Sequence, residues 1–191
     1  MKAYKLLTDD FFVGNFGSVK ATDEIVKMCA HNFKDENLHD AGVGGKGVNH
    51  SIRNCRIAGI SKDRCQLITE GLGKIIMNVN KMQWNMDLEH IWEAHIQYTR
   101  YIGEGHFYNW HRDAYVNDEN SVGHKRKLTI VYCLSYKKDY TGGEFEVKRE
   151  DNSVYTRKFD YGDFIVFPAY KLHRVKPLKK GTRTTLVGWY M

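Results

Sequence analysis

The chain has 191 residues, of which 42% are hydrophobic and 13% aromatic. This is enough apolar material for one sizeable core, and it argues against an intrinsically disordered protein. The apolar run at the N-terminus is too short for a signal peptide, and no window approaches the roughly 20 apolar residues of a membrane helix. We therefore expect a soluble cytoplasmic protein, including the case of a phage-encoded protein that acts in a bacterial host.

Lysine and arginine outnumber aspartate and glutamate by 29 to 23, which gives a net charge of +6. The basic residues form short groups at 125–127, 137–138 and 176–180. Such groups are compatible with a nucleic acid, with an acidic partner or substrate, or with a solvated basic surface. Because no motif of stacking aromatic residues accompanies them, the sequence favours the solvated surface.

The first 90 residues have helical character in two places. Thr22 is predicted to cap a helix whose first turn contains Asp23 and Glu24. A second helix is predicted where apolar residues recur at helical spacing, at Leu67, Ile68, Leu72, Ile75, Ile76 and Val79. A glycine-rich segment at 41–47 lies between them and lacks the order of a phosphate-binding loop, so we interpret it as a flexible loop near a site.

After about residue 93 the pattern changes to short strands separated by turns. The predicted strands cover 95–101, 128–135, 144–147, 163–167 and 183–190. Their spacing favours an antiparallel jelly roll, a double-stranded β-helix in a mainly β protein braced by N-terminal α-helices. We expect a single domain over 1–191, in which 1–90 provide helical support and the glycine-rich loop, and 91–191 form the catalytic core.

Three residues have the chemistry and spacing of a metal site. His111 and Asp113 are two positions apart, so on an extended segment both side chains share one face. His173 follows a predicted strand and provides the third ligand. Two histidines and one carboxylate occupy three corners of an octahedron and leave three open, which favours Fe(II) over a closed zinc site. The H-x-D triplet alone is a weak signal.

Arg183 strengthens the prediction, because it follows His173 by ten residues on the next strand. There its guanidinium can bind a carboxylate in bidentate fashion beside the metal. Along this strand Arg183, Thr185, Val187 and Trp189 share a face, and a buried arginine among apolar neighbours requires an acidic partner. The alternative is an exposed edge strand with Arg183 in solvent.

Several segments together resemble prolyl 4-hydroxylase-like oxygenases, and in particular the PKHD-type hydroxylases of bacteria and phages. They are 101–113, 126–134, 142–145, 162–167, 172–175 and 181–183, followed by Trp189, in the order of that family. The resemblance covers roughly 90–191 strongly and 36–60 faintly, where it rests on the glycine-rich loop and Arg53. It is specific for the cofactor chemistry and not for the substrate.

The resemblance implies that His111, Asp113 and His173 bind Fe(II) and that Arg183 binds the distal carboxylate of 2-oxoglutarate. Tyr101 matches a tyrosine that hydrogen-bonds this co-substrate. A second tyrosine of the family falls on Cys133, and Thr129 and Thr185 are candidate replacements. Phe145 and Trp189 are expected to line the pocket. O2 is the oxidant, ascorbate is a candidate reductant, and no acid or base separate from the metal is required.

The leading function is that of a prolyl (peptidyl) 4-hydroxylase that releases succinate and CO2. The alternatives are hydroxylation of a small molecule or free amino acid, dealkylation of a nucleic acid, and a non-catalytic jelly-roll binding module. The dealkylases carry a second arginine six residues after the first, where this chain has Trp189. We expect a protein or peptide partner and no membrane. Whether the loops 41–47 and 115–125 close on substrate stays open. The oligomeric state stays open.

Overall fold

The computed structural model describes residues 5–15, 18–43, 47–61, 65–89, 94–114 and 125–191. Most of the 115–125 loop and the centre of the 41–47 loop lie outside these residues, so whether the two loops close on substrate stays open. The described residues form two α-helices, α1 (Val19–Asn32) and α2 (Gln66–Gln83). They also form fourteen strands: β1 (Lys5–Leu7), β2 (Phe12–Asn15), β3 (His39–Asp40), β4 (Arg53–Asn54), β5 (Arg56–Ile60), β6 (His95–Ile102), β7 (Phe107–His111), β8 (Leu128–Cys133), β9 (Tyr140–Gly142), β10 (Phe145–Lys148), β11 (Val154–Arg157), β12 (Asp163–Pro168), β13 (His173–Val175) and β14 (Leu178–Tyr190).

The strands form two antiparallel sheets. The larger sheet has the order β1-β2-β12-β8-β14-β6-β5-β3, with β9 paired to β14, and the smaller sheet has the order β11-β10-β13-β7-β4. Apolar side chains of both sheets make one common core, for example Val131 and Phe167 from the larger sheet with Phe145 and Val175 from the smaller. This mainly β arrangement of two packed antiparallel sheets agrees with the predicted jelly roll.

The two helices cover the other face of the larger sheet. Ile68, Leu72 and Ile76 of α2 belong to the same core as Leu128 and Ile130 of β8. Every residue of β8 is buried, because one face of the strand meets the helices and the other meets the smaller sheet. A strand covered on both sides is continuously apolar or small, which is why its sequence shows little polar alternation.

The first helix begins one turn earlier than predicted. Ser18 is its N-cap, and the Ser18 hydroxyl accepts a hydrogen bond of 3.2 Å from the Ala21 backbone N–H. Thr22, the predicted cap, lies inside the helix, and its hydroxyl is 2.7 Å from the Tyr132 hydroxyl. The prediction of Thr22 as the cap was therefore wrong, because its hydroxyl is buried against the Tyr132 hydroxyl of β8. The second helix is confirmed.

The N-terminal half also provides strands, which the sequence analysis did not predict. β2 pairs with β12 and β5 pairs with β6 in the larger sheet, whereas β4 pairs with β7 in the smaller sheet. These strands have two to five residues, which is too short for a reliable alternation of apolar and polar positions. Neither described helix combines the length and apolar character needed to cross a bilayer.

Candidate metal centre and co-substrate pocket

The smaller sheet brings the three predicted metal ligands together. His111 ends β7, His173 begins β13, and the two residues are direct partners in the antiparallel pair. Asp113 follows β7 immediately, and its carboxylate oxygens lie 3.8 Å from His111 Nε2 and 3.5 Å from His173 Nε2. One ligand atom from each side chain lies within 4.8 Å of the other two. This spacing suits three ligands around one ion.

Both imidazole rings are oriented by backbone carbonyls. His111 Nδ1 is 2.8 Å from the Asn109 carbonyl oxygen, and His173 Nδ1 is 2.9 Å from the Lys171 carbonyl oxygen. A carbonyl oxygen only accepts hydrogen bonds, so Nδ1 carries the proton in each ring. The lone pair of each neutral ring then lies on Nε2, the atom that faces Asp113. The rings are thus prepared to coordinate a metal through Nε2.

Two hydrogen bonds hold Asp113 in place, one through its backbone and one through its carboxylate. Its backbone N–H donates to the Ala169 carbonyl at 2.9 Å, and the Thr129 hydroxyl donates to Oδ2 at 2.8 Å. The sequence analysis considered Thr129 as a co-substrate contact in place of the missing tyrosine. Its hydroxyl instead contacts the candidate metal ligand, so Thr129 positions Asp113.

Two of the ligand side chains, His111 and Asp113, have protonation states that suit metal binding. Burial, reinforced by His173, lowers the pKa of His111 to about 3. Burial alone would raise the pKa of Asp113, but the two histidines and the Thr129 hydroxyl lower it overall. At neutral pH His111 is therefore neutral and Asp113 ionised, which is the state that coordinates a cation without first releasing protons.

A cavity between the two sheets contains the candidate ligands and the candidate co-substrate residues. It has about 390 Å³ of free space, part of it open to solvent. Tyr101, Arg183 and Thr185, the three residues predicted to bind 2-oxoglutarate, all line it together with the metal triad. The predicted wall residues Phe145 and Trp189 line it as well. The other lining residues are Arg53, Gln97, Thr99, Tyr108, Val131, Val175 and Val187.

Arg183 is buried in this cavity and lacks a counter-charge. Its side chain is 1% exposed, so the alternative of a solvent-exposed edge is wrong. Its guanidinium carbon lies 5.4 Å from the centre of the Tyr101 ring, and one hydrogen bond links it to Tyr140. Nε and Nη2 have no hydrogen-bond partner among the described residues. An orphaned, buried guanidinium indicates that an anion belongs there.

Gly143 makes the space that Arg183 occupies. A Cβ atom on Gly143 would lie 3.2 Å from Arg183 Cδ and 3.0 Å from Leu178 Cδ1, and its φ of +66° is a region that favours glycine. Gly143, in the segment 142–145, therefore has a role in the site as well as in the turn. The donor set of the triad and the orphaned Arg183 both fit an Fe(II) ion and a dicarboxylate co-substrate.

The floor of the cavity supplies hydroxyl groups beside Arg183. Thr185 is 1% exposed and pairs with Thr99 on one side and with Cys133 on the other. The Cys133 thiol donates to the Ser135 carbonyl at 3.4 Å. It is therefore occupied, and the two threonines are the hydroxyls of this row that line the cavity. Burial raises the pKa of Tyr101, so its phenol stays a neutral donor.

Tyr108 and Arg53 are two of the lining residues to which the sequence assigned no role. The Tyr108 ring stacks on the His111 ring with centroids 3.4 Å apart, and the Arg53 guanidinium lies 4.5 Å above the Tyr108 ring centre. Tyr108 lies in the segment 101–113, three residues before His111, and this position could have indicated from the sequence that it lies near the site. Arg53 reaches the site by pairing with Tyr108 across β4 and β7, which no local spacing reveals.

The C-terminal half of the chain is similar to known proteins. The family model described as the 2OG-Fe(II) oxygenase superfamily matches residues 96–191. The chain is similar to a PKHD-type hydroxylase of Hyphomonas neptunium, with 34% identity over 89 residues, which are 46% of this chain and 38% of the relative. It is also similar to one of Gloeothece citriformis, with 44% identity over 63 residues, 32% of this chain and 28% of the relative. The chain thus matches less than half the length of these relatives.

Solved structures share the fold. A prolyl-4-hydroxylase of Pseudomonas putida superposes with a TM-score of 0.76 at 20% identity, covering 95% of this chain and 92% of that protein. A prolyl hydroxylase of Trichoplax adhaerens, in complex with a peptide fragment of the hypoxia inducible factor oxygen degradation domain, gives 0.79 at 20% identity, covering 96% and 84%. At this identity the likeness concerns the fold, and it confirms the predicted fold class.

Proposed function

The chain belongs to the 2OG-Fe(II) oxygenase superfamily, and on this premise we propose that it is an iron(II)- and 2-oxoglutarate-dependent dioxygenase. His111, Asp113 and His173 bind the iron, and Arg183 binds the distal carboxylate of 2-oxoglutarate. The observation that carries the proposal is the buried guanidinium of Arg183, whose Nε and Nη2 have no hydrogen-bond partner among the described residues, in the same cavity as the three ligands. A dicarboxylate co-substrate supplies the missing counter-charge.

The reaction converts a substrate C–H bond, O2 and 2-oxoglutarate into an alcohol, succinate and CO2. The iron supplies the oxidising chemistry when bound. The protein positions the co-substrate and the substrate and shields the reacting atoms from water. His111, Asp113 and His173 would hold the ion at the wall of the cavity, next to the space for the co-substrate. Tyr101 and Thr185 are placed to hydrogen-bond the co-substrate. Among the walls, Phe145 and Val187 are apolar and keep water from the reacting atoms. No separate acid or base takes part.

For the prime substrate, we propose a prolyl residue of a protein or peptide, hydroxylated at C4. The relatives named as PKHD-type hydroxylases and the two prolyl hydroxylases of the same fold support this choice. Dealkylation of nucleic acid is less well supported, since Trp189 stands where a second arginine would be expected. Ascorbate as reductant and a cytoplasmic location stay predictions.

The decisive experiment measures co-substrate binding and turnover together. Purified protein with Fe(II) should bind 2-oxoglutarate in anaerobic calorimetry and form succinate slowly in air without a prime substrate. Arg183→Gln should abolish both, whereas Arg56→Gln, which removes an arginine that does not line the cavity, should leave both unchanged. Absence of 2-oxoglutarate binding, together with succinate formation no faster than background, would refute the proposal that the protein is a dioxygenase.

The prime substrate requires a separate screen. A peptide library that includes proline-containing sequences is incubated with enzyme, Fe(II), 2-oxoglutarate and ascorbate, and products are read by mass spectrometry as the gain of one oxygen atom. Proline peptides should carry this gain, and fragmentation should locate it on the proline ring. A gain on other residues only would remove the prolyl assignment and keep the dioxygenase. The same reactions without ascorbate test its role as reductant.

A further inference from the structure

A second arginine in the cavity is fixed in place and has no acidic partner in the described part of the chain. Arg53 is 8% exposed and lines the same cavity as Arg183. Arg53 Nε donates to Cys55 Sγ at 3.3 Å, and Nη1 donates to the Gly42 carbonyl at 3.2 Å. These two bonds and the Tyr108 ring hold the guanidinium plane. Nη2 has no described hydrogen-bond partner, so one edge of the guanidinium is available.

The charges around the cavity do not balance without another anion. Of the described residues that line it, Arg53 and Arg183 are positive and Asp113 is negative. A divalent metal and doubly ionised 2-oxoglutarate cancel each other. One positive charge is then left over, and because the Arg53 side chain is buried, leaving that charge uncompensated is costly. An anionic group on the remaining ligand, the prime substrate, would compensate it.

The position of Arg53 separates this charge from the co-substrate anchor. Arg183 lies on β14 in the larger sheet, with Tyr140 and Gly143 as neighbours. Arg53 lies on β4 at the edge of the smaller sheet and is separated from the His111 ring by the thickness of one tyrosine ring. An anion held by Arg53 would therefore lie a few bonds from a carbon atom that reacts at the metal.

The chemistry of the subsite favours a carboxylate. Nη1 and Nη2 of Arg53 each carry two N–H groups, and only one N–H of Nη1 is used by the Gly42 carbonyl. The end of the guanidinium formed by Nη1 and Nη2 therefore offers two parallel N–H groups, which match the two oxygens of a carboxylate. The described lining residues include no lysine, and none lies in a helix. A phosphate group, with its higher charge and additional oxygens, would call for more donors than this edge provides.

We propose that Arg53 binds a carboxylate of the prime substrate, close in the covalent structure to the carbon that is hydroxylated. The inference rests on the proposed function and narrows its substrate class. Prolyl substrates would carry the carboxylate either as the free C-terminus of the hydroxylated residue or on the side chain next to it. A free amino acid, an alternative considered from the sequence, meets the same requirement.

The test compares matched acids and amides as binding probes. Protein loaded with Fe(II) and 2-oxoglutarate is titrated anaerobically in a calorimeter with N-acetyl-L-proline and with N-acetyl-L-prolinamide. A second pair, acetyl-Asp-Pro-amide and acetyl-Asn-Pro-amide, moves the carboxylate to the preceding side chain. We expect at least one acid to bind about tenfold more tightly than its amide, as for a charge-assisted bidentate contact. The pair that discriminates identifies the source of the carboxylate.

Variants then assign the effect to one residue. In Arg53→Gln the affinity for the acid should fall to within about twofold of the amide, while the affinity for 2-oxoglutarate stays within about twofold of the parent. Arg56→Gln is the matched control: it removes an equal charge three residues away, from a side chain that has Asp40 at 3.6 Å. This control should keep the full preference for the acid.

Three results would overturn the inference. The first is equal affinity for acids and amides in the parent protein, including no detectable binding of either. The second is an undiminished preference in Arg53→Gln, and the third is a loss of 2-oxoglutarate binding in that variant with the preference retained, which would make Arg53 part of the co-substrate site. Failure of the proposed function has a different signature, because 2-oxoglutarate then fails to bind before any probe is added.

Discussion

The two halves of the molecule contribute to the site in different ways. Residues 94–191 carry all three candidate metal ligands and Arg183, on strands that pair mainly with one another. Residues 5–89 supply two helices, the strands β2 and β5 of the larger sheet, and β4 at the edge of the smaller one. The C-terminal half therefore determines the chemistry, and the N-terminal half determines the stability of the sheets and the border of the pocket.

This division has a physical reason. A metal site requires ligands placed to within fractions of an ångström, and the central strands β7, β13 and β14 provide rigid neighbours on both sides. Edge strands such as β4 have one neighbour only, so they tolerate variation and can bring substrate-specific groups to the rim. Among the described residues of the N-terminal half, Arg53 alone lines the cavity. We expect substitutions in the two halves to separate loss of chemistry from loss of stability.

The largest effect is expected for a metal ligand. Asp113→Ala removes one of three ligands and should eliminate stoichiometric Fe(II) binding and reduce succinate formation by more than about 1000-fold. The fold should persist, because the backbone hydrogen bonds of Asp113 with Ala169 and Arg126 do not depend on its side chain. Metal analysis, the succinate assay and far-ultraviolet circular dichroism provide the measurement. Glu36→Gln, an exposed carboxylate of the N-terminal half, should change none of the three. Full turnover in Asp113→Ala would end the metal assignment.

The next effect concerns the residue that orients this ligand. Thr129→Val keeps the shape of the side chain and removes the hydroxyl that donates to Asp113 Oδ2 at 2.8 Å. Loss of such a contact typically weakens metal binding by about 10–100-fold. Competition with a chelator measures the affinity, and Thr129→Ser should restore most of it. An unchanged affinity in Thr129→Val would mean that the Ala169 carbonyl alone suffices to position Asp113.

The sequence analysis was most successful where function imposes local spacing. His111 and Asp113 share one extended segment, and Arg183 shares a strand face with Thr185. The alternation of side chains along an extended chain was therefore enough to place each pair on one face. Thr129 was considered for the wrong contact, because strand alternation predicts the face of a residue and not its hydrogen-bond partner. The strands β1–β5 were missed for lack of length, and the meeting of Arg53 with Tyr108 depends on long-range pairing.

Gly143 tests whether the co-substrate anchor is separable from the metal site. In Gly143→Ala the added Cβ would crowd Arg183 Cδ, at 3.2 Å, in a backbone region that alanine disfavours. We expect the affinity for 2-oxoglutarate to fall about tenfold with Fe(II) binding unchanged, since a displaced guanidinium loses its bidentate geometry. Gly71→Ala is the matched control, because a Cβ there meets nothing within 4 Å and lies in a helix. Equal loss of metal binding in Gly143→Ala would show that the two sites are coupled.

The smallest effect on the site is expected for the ion pairs of Lys171, which form a tether between the two halves of the molecule. They also test most sharply whether the two halves have separate roles. Lys171 is 5% exposed, and its ammonium group contacts the carboxylates of Asp10 and Glu150, whose side chains are 14% and 70% exposed. The Lys171 carbonyl accepts the hydrogen bond from His173 Nδ1. The tether thus connects the N-terminal segment to the loop before a candidate ligand.

Asp10→Asn should lower the free energy of unfolding by about 2 kcal/mol, because it leaves a buried ammonium without its buried partner. Glu150→Gln removes the exposed partner of the same lysine and should cost less than about 0.5 kcal/mol, since solvent screens that pair. Urea unfolding measures both. If the segment around Asp10 acts on stability alone, Fe(II) affinity should change by less than about threefold in either variant, which is under 0.7 kcal/mol. A loss of Fe(II) affinity that exceeds the loss of stability in Asp10→Asn would instead place this segment among the groups that position His173.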